Sequence, residues 1–140
     1  MIYLDTSVLG AIFFREPNAA LVLGQVKAAR SRGLVISVWT LTEMASVGAI
    51  KERTGAIDHA TRQQALSTFH RFASSNLTLA EVEPADCRSA AVLIAGPGGL
   101  RAGDALHLAL AKRLPADLAT LDRRLADAAP ACGVPLLPVG

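Results

Sequence analysis

Four carboxylates in this sequence lie near points where an apolar, strand-like run gives way to a helix: Asp5, Glu43, Asp104 and Asp122. Three of them follow short apolar runs closely, and Asp104 opens the most apolar helical stretch of the chain. In a parallel sheet, functional sites form at the carboxyl ends of the strands. We therefore expect the four side chains to converge there.

Converging carboxylates repel one another and raise each other's pKa unless a cation lies between them. No histidine pair or thiol accompanies these acids, and an oxygen-only ligand set suits Mg²⁺, with Mn²⁺ as a substitute. A hard cation lowers the pKa of a bound water and neutralises charge on a phosphodiester. The reaction that such a set favours is metal-assisted phosphodiester hydrolysis.

Each acid also has an ordinary structural explanation. Asp104 and Asp122, taken singly, are better explained as helix caps than as ligands. Thr40 is predicted to begin a helix in which Glu43 completes a capping box, and this interpretation competes evenly with metal binding. Asp5 is the strongest single candidate, because a charge at the end of a buried strand requires a compensating partner.

The elements that position these acids alternate along the chain. Strands are predicted at residues 2–4, 34–38, 77–82 and 118–120, with 134–139 as an edge strand interrupted by prolines. Helices are predicted between them, with caps at Asn18 and Asp58. This alternation predicts a three-layer α/β/α fold with a central, mainly parallel sheet. No linker or repeat is evident, so residues 1–140 are interpreted as a single domain.

The amino-acid composition excludes only a few classes of function. A net charge of +2 permits nucleic-acid binding without indicating it. Two isolated cysteines exclude a disulfide framework and an ordinary zinc site. No signal peptide or membrane-spanning run is recognisable, so a cytoplasmic location is expected. A hydrophobic fraction of 51% in so short a chain favours a partner or an oligomer.

Four ordered segments together resemble a known family: Tyr3-Leu4-Asp5-Thr6-Ser7-Val8-Leu9, Leu41-Thr42-Glu43-Met44-Ala45-Ser46, Gly103-Asp104-Ala105-Leu106-His107-Leu108-Ala109 and Leu118-Ala119-Thr120-Leu121-Asp122-Arg123-Arg124-Leu125-Ala126. The chain resembles a PIN-domain ribonuclease, specifically a VapC-type toxin of a bacterial toxin–antitoxin pair. The resemblance extends through nearly the whole chain, and the four segments in this order are specific where each alone is weak.

The resemblance implies that the metal is held by Asp5, Glu43, Asp104 and Asp122. Asp5 and Asp104 are expected to hold the principal ion, and the other two to complete its shell directly or through water. The hydroxyls of Thr6, Ser7 and Thr120 are expected to support the acids. The implied function is hydrolysis of RNA, commonly transfer or ribosomal RNA, by metal-activated water. The implied partners are a VapB-type antitoxin and a second copy of the chain.

Several further residues have two interpretations each. His107 is interpreted as a packed structural histidine in preference to a ligand, with contact to substrate or orientation of a carboxylate as the alternative. Three arginines flank two of the acids and are candidates to meet RNA phosphates: Arg101, Arg123 and Arg124. For Arg123 and Arg124, simple solvation is an equal alternative. Trp39 is attributed to the core. Phe13 and Phe14, with the helix over residues 58–74, are candidates for a groove that binds an antitoxin helix.

Three other functions compete with this interpretation. A haloacid-dehalogenase-like phosphohydrolase also begins with a strand ending in Asp, but it needs a second Asp where this chain has Ser7. A noncatalytic PIN-like binding module would act through its apolar surface, and the intact acids argue against it. A metal-dependent DNase or structure-specific nuclease remains an alternative, because similar acid clusters serve such enzymes.

Overall fold

Short strands alternate with helices throughout the computed structural model, which describes residues 1–140. The strands are β1 (Ile2–Leu4), β2 (Leu34–Ser37), β3 (Thr78–Ala80) and β4 (Asp117–Ala119). The α-helices are α1 (Thr6–Phe13), α2 (Ala19–Ala28), α3 (Val38–Arg53), α4 (His59–Asn76), α5 (Pro84–Ile94), α6 (Ala102–Arg113) and α7 (Arg123–Ala131). A 3₁₀-helix covers Arg30–Arg32. None of the helices combines the length and the apolar character needed to cross a bilayer.

The four strands form one parallel sheet in the order β3-β2-β1-β4. In the centre, Tyr3 of β1 lies opposite Val35 of β2 on one side and Leu118 of β4 on the other. Every residue of β1 and β2 is buried. Burial on both faces explains why these strands are almost continuously apolar in sequence, as is usual for parallel sheets. The predicted parallel sheet is confirmed.

Helices cover both faces of this sheet, because successive side chains of a strand point to opposite sides. One core cluster packs against α1–α4 and includes Ile2, Leu4, Val22, Met44 and Phe69. The other packs against α5–α7 and includes Tyr3, Ala90, Leu108, Leu118 and Leu125. The three-layer α/β/α prediction is therefore confirmed.

The predicted start of α3 is wrong. The helix begins at Val38 with Ser37 as its cap. The backbone amide of Ser37 donates a hydrogen bond to the Thr40 hydroxyl at 3.4 Å. Ser37 is the last residue of β2 and takes the N-cap position, so Thr40 falls at the third position of the helix, as the partner of Ser37 in the capping box. Glu43 consequently lies in the second turn, and its carboxylate plays no part in the capping box.

Two other helix starts were predicted correctly, and one end of the sheet was not. Asp58 and Asp122 cap α4 and α7 through their side chains, whereas Asn18 precedes α2 without a side-chain cap bond. The segment 134–139 forms only an isolated bridge, Leu118 to Leu136, in place of the predicted edge strand. Pro135 and Pro138 lack the amide protons that a longer ladder would need.

Candidate active site

The four acids predicted from the sequence meet at the carboxyl edge of the sheet. Asp5 follows β1 as the cap of α1, and Asp122 follows β4 as the cap of α7. Glu43 lies in the second turn of α3, and Asp104 in the first turn of α6. All four line one open cavity of about 470 Å³, which is within the usual range for ligand pockets, about 300–1,000 Å³.

Asp5 is held at the floor of this cavity and is only 3% exposed. Its Oδ1 accepts hydrogen bonds from the Ser7 hydroxyl at 2.6 Å and the Val8 amide at 3.3 Å, and its Oδ2 accepts one from Thr120 at 2.6 Å. Burial raises the pKa of Asp5, and these hydrogen bonds only partly oppose it. Charge at Asp5 therefore carries an electrostatic cost.

Two of the predicted supporting hydroxyls also tie Asp5 to the loop after β4. The Ser7 Oγ accepts the Leu121 amide at 2.8 Å, and the Thr120 Oγ1 accepts the Asp122 amide at 3.0 Å. Each hydroxyl thus donates to Asp5 and accepts from the backbone that leads into α7. This arrangement fixes Asp5 and the start of α7 relative to each other.

Glu43 is fixed by the third predicted hydroxyl and by a histidine. Thr6 Oγ1 donates to Glu43 Oε1 at 2.6 Å, and His107 Nε2 forms a very short contact with the same oxygen. Partial burial opposes ionisation of Glu43, but the hydrogen bond and the charge of His107 outweigh it and hold the pKa of Glu43 below its usual range. Glu43 is therefore an ionised carboxylate with a fixed orientation.

His107 orients a carboxylate, which is the alternative that the sequence offered beside the packed-histidine interpretation. It is buried, and its Nδ1 lies 2.8 Å from the Tyr3 hydroxyl, which in turn donates to Ser37 Oγ at 2.9 Å. The contact of Nε2 with Glu43 and that of Nδ1 with Tyr3 together fix the orientation of the imidazole ring. Its spacing three residues after Asp104 was the available clue in the sequence.

Asp104 differs from the other three acids, because no group of the chain donates a hydrogen bond to its carboxylate. It is half-buried, and its pKa is raised by burial and then by the neighbouring charge of Asp122, with smaller effects from Asp5 and Glu43. The capping explanation for Asp104 therefore fails, whereas Asp122 does cap α7, with Oδ1 accepting the Leu125 amide at 3.0 Å.

The donor set of this cavity fits a hard divalent cation. Its ligating atoms are carboxylate oxygens. Burial raises the pKa of Asp5, and burial and then the charge of Asp122 raise the pKa of Asp104, so a bound cation would favour the ionised form of both. No three of the acids are already drawn into a compact ligand cluster. Closing on an ion would thus require side-chain rotation, chiefly at the unbonded Asp104.

A second cleft, of about 540 Å³, adjoins the acids and is lined by Trp39, Glu43, Arg101, Gly103, Asp104, Asp122, Arg123 and Arg124. The three predicted arginines are all exposed, and none forms an ion pair with an acid of the chain. Free guanidinium groups next to a carboxylate cluster provide positive charge where a phosphate backbone would approach.

Comparisons with known proteins agree with this architecture. The sequence profile described as the PIN domain matches residues 2–130. No curated protein is similar enough in sequence to count as a match. Among solved structures, VapBC2 from Rickettsia felis bound to a promoter DNA fragment is 16% identical, with a TM-score of 0.72 and 97% of both chains covered.

Two further solved structures resemble this chain to a similar degree. VapC20 from Mycobacterium tuberculosis, described as a sarcin–ricin loop cleaving toxin, is 15% identical, with a TM-score of 0.70 and coverage of 91% of this chain and 95% of that one. FitAcB from Neisseria gonorrhoeae is 17% identical, with a TM-score of 0.69 and coverage of 99% and 97%.

Identities this low show a shared fold and nothing finer. The profile match is different in kind, because it extends from the first residue of β1 into α7 and includes every element that carries an acid. On that match, the chain belongs to the PIN domain family.

Proposed function

We propose that this protein is a Mg²⁺-dependent endoribonuclease, with Mn²⁺ as a substitute, and that it acts as the toxin of a type II toxin–antitoxin pair. PIN domains are nucleases, so family membership supports phosphodiester hydrolysis as the reaction class. The observation that carries the proposal is the single cavity lined by all four carboxylates, one of which has no partner within the chain.

The carboxylates have different roles in the proposed reaction. Asp5 and Asp104 hold the cation, and Glu43 and Asp122 complete its surroundings directly or through water. When bound, the cation acidifies a water and neutralises charge on the phosphodiester. His107 keeps Glu43 ionised and oriented, so that this carboxylate does not have to reorganise as the substrate binds.

RNA is the proposed substrate for two reasons. VapC20, whose fold this chain shares, is described as cleaving the sarcin–ricin loop. In this chain, the unpaired guanidinium groups of Arg101, Arg123 and Arg124 border the acids and would contact backbone phosphates on either side of the cleaved bond. Hydrolysis by an activated water in line with the leaving oxygen would leave a 5′-phosphate and a 3′-hydroxyl.

An antitoxin is the proposed partner, since VapBC2 and FitAcB are neighbours in fold. Its proposed binding site is the cleft between α1 and α4, which Phe13, Phe14 and Ala65 line together with several polar side chains. An amphipathic helix or a strand-like segment from a VapB-type antitoxin would fit such a cleft. A homodimer remains part of the proposal, to be measured by light scattering of the purified chain.

The decisive experiment is cleavage of an end-labelled single-stranded RNA by purified protein with Mg²⁺, with Mn²⁺ and with EDTA. Asp5→Asn and Asp104→Asn should each lower the rate at least about 100-fold, the low end of what loss of a group acting in the transition state costs. Asp127→Asn is the matched control, because Asp127 is an exposed acid that lines neither the four-acid cavity nor the adjoining cleft.

The same assay separates the alternatives. A DNA of the same sequence, cut as fast as the RNA, would favour the DNase alternative. Absence of any cleavage by wild-type protein with either ion would favour a noncatalytic binding module. Cleavage by Asp5→Asn at the wild-type rate would overturn the assignment of the acids.

A further inference from the structure

Trp39 does not fit the core assignment predicted from the sequence. It is the second residue of α3, directly after the buried strand β2, and it is half-buried. It belongs to neither of the two core clusters, nor to the partly buried side chains packed against them. Instead, it is the only large apolar side chain that lines the cleft beside the acids.

The indole of Trp39 also has an unused hydrogen-bond donor. Its Nε1 is shielded from solvent and has no partner in the chain. Buried indole nitrogens normally find an acceptor, because leaving one unpaired costs free energy. A tryptophan kept at this position therefore calls for an explanation beyond packing.

The start of α6 approaches the indole closely at a glycine. A Cβ placed on Gly103 would lie 3.5 Å from Trp39 Nε1 and only 2.9 Å from Glu43 Oε2. A side chain at Gly103 would therefore displace the Glu43 carboxylate. The indole of Trp39 and the Glu43 carboxylate thus both lie close to the backbone at Gly103.

The rest of the cleft supplies the other contacts that a nucleotide needs. The guanidinium groups of Arg101, Arg123 and Arg124 line the same cleft and carry no ion pairs. A phosphate is matched by arginines and a base by an aromatic face, and single-stranded nucleic acid is commonly bound by this combination.

We propose that Trp39 is a nucleobase-binding residue of the cleft, an inference that rests on the proposed ribonuclease function. A base of single-stranded RNA next to the cleaved bond stacks on the indole, and its phosphate lies between the arginines and the carboxylates. Trp39 would act on substrate affinity and on the choice of cleavage site.

The first test uses fluorescence, since Trp39 is the only tryptophan of the chain. Asp104→Asn protein is titrated in Mg²⁺ with a short single-stranded RNA, and binding is followed in parallel by anisotropy of a dye on the RNA. We expect saturable quenching with the same midpoint as the anisotropy. The same RNA made abasic should still bind through its phosphates but quench far less. Binding without any change in the tryptophan emission would overturn the proposal.

The second test separates this inference from the proposed function by kinetics on the otherwise wild-type protein. Trp39→Leu should raise KM about 5- to 150-fold, the range expected for loss of one base–aromatic stack, with a smaller change in kcat. Trp39→Phe, which keeps a ring, should recover most of the affinity. Phe72→Leu is the matched control, because Phe72 packs on Phe13 away from the cleft.

The outcomes distinguish the two claims. If the wild-type protein cuts RNA and Trp39→Leu cuts it with unchanged KM and unchanged site preference, the base-binding role is wrong and the ribonuclease function stands. If the wild-type protein cuts no RNA, the ribonuclease function itself fails, and this inference fails with it.

Discussion

At the level of single residues, the four acids are not equivalent. Glu43 is held ionised by His107 and Thr6. Asp5 is fixed in orientation by two hydroxyls, whereas Asp104 faces the other acids with no donor of its own. The sequence predicted the positions of all four, because strand ends and helix starts are visible as local patterns. The pairing of His107 with Glu43 depends on the approach of α6 to α3, which no local pattern encodes.

Asp104 should therefore destabilise the metal-free protein. Its carboxylate is half-buried among like charges, so Asp104→Asn removes an unfavourable interaction while nearly preserving volume. Without divalent ions, we expect Asp104→Asn to have a higher Tm than the wild-type protein. Adding MgCl₂ should raise the Tm of the wild-type protein and leave that of Asp104→Asn almost unchanged, because binding to the folded state alone stabilises it.

Thermal unfolding followed by circular dichroism measures both effects without any RNA present. Asp127→Asn serves as the control, since it makes the same chemical change at an exposed position. A wild-type Tm that does not respond to Mg²⁺ or Mn²⁺ would contradict a metal site at these acids.

The hydrogen-bonded chain from Ser37 through Tyr3 to His107 should be strongly coupled. His107→Leu leaves the buried Tyr3 hydroxyl and the Glu43 carboxylate without their partner, and loss of such a partner costs about 1–3 kcal/mol of unfolding free energy. Tyr3→Phe removes the hydroxyl itself. The double variant should lose less than the sum of the two single variants, by about 0.5–3 kcal/mol.

Urea denaturation of the four proteins gives this coupling energy. Strictly additive losses would mean that the contact between Tyr3 and His107 contributes nothing to stability. In that case Tyr3 and Ser37 would have no part in orienting Glu43.

At the level of elements, the sequence predicted which segments are helices and strands better than where they begin. The β2–α3 junction is the clearest case, because Ser37 is both the last residue of the strand and the cap of the helix. Thr40 offered an equally good cap by type, and local preference cannot rank two hydroxyls three residues apart. The residue that caps α3 is determined by where β2 ends, and β2 ends where its pairing with the neighbouring strands ends.

The packing of α5 on α6 includes an ion pair between a buried carboxylate, Asp86, and an exposed guanidinium, Arg113, that should govern acid sensitivity. Asp86 is 2% exposed and accepts hydrogen bonds from Arg113 Nε at 2.7 Å and the Glu83 amide at 2.8 Å. Burial works against ionisation of Asp86, but Arg113 and the amide outweigh it and hold the pKa of Asp86 below its usual range.

A carboxyl whose pKa is lower in the folded state stabilises the protein above its unfolded pKa, about 3.9, and this contribution is lost as the pH falls through the folded pKa. We expect Asp86→Asn to lower the unfolding free energy by about 2 kcal/mol at pH 7, given the usual value of a charged hydrogen bond. The gap to the wild-type protein should narrow below about pH 4. A gap that stays constant between pH 7 and pH 3, measured by urea denaturation, would contradict this role.

At the level of the whole molecule, the fold could be predicted because its sheet is parallel. Each strand must be followed by a helix, so the order of elements nearly determines the layers. The surfaces that contact other molecules could not be predicted in the same way. Exposed apolar residues such as Val92 and exposed arginines do not recur at a regular spacing in the sequence. Only the structure shows that Arg101, Arg123 and Arg124 lie together in the cleft beside the acids.

The position of these three arginines in the cleft predicts how RNA binding depends on salt concentration. The net charge of the chain is only +2, so general attraction to nucleic acid is weak, and the attraction must arise mainly from the arginines of the cleft. For single strands, each phosphate contact contributes about 0.7 to the slope of log affinity against log salt concentration. Binding of RNA to Asp104→Asn protein should therefore show a slope of about −2 if Arg101, Arg123 and Arg124 each meet one phosphate.

Replacing one of these arginines by alanine should reduce the slope by about 0.7 and weaken binding to all RNA sequences alike. Arg88→Ala removes the same charge from an exposed position of α5 outside the cleft, so it should leave the slope unchanged. Anisotropy titrations at several NaCl concentrations measure the slope for each variant. Equal slopes for Arg101→Ala and Arg88→Ala would mean that the attraction is spread over the surface and that the arginines beside the acids do not position the RNA.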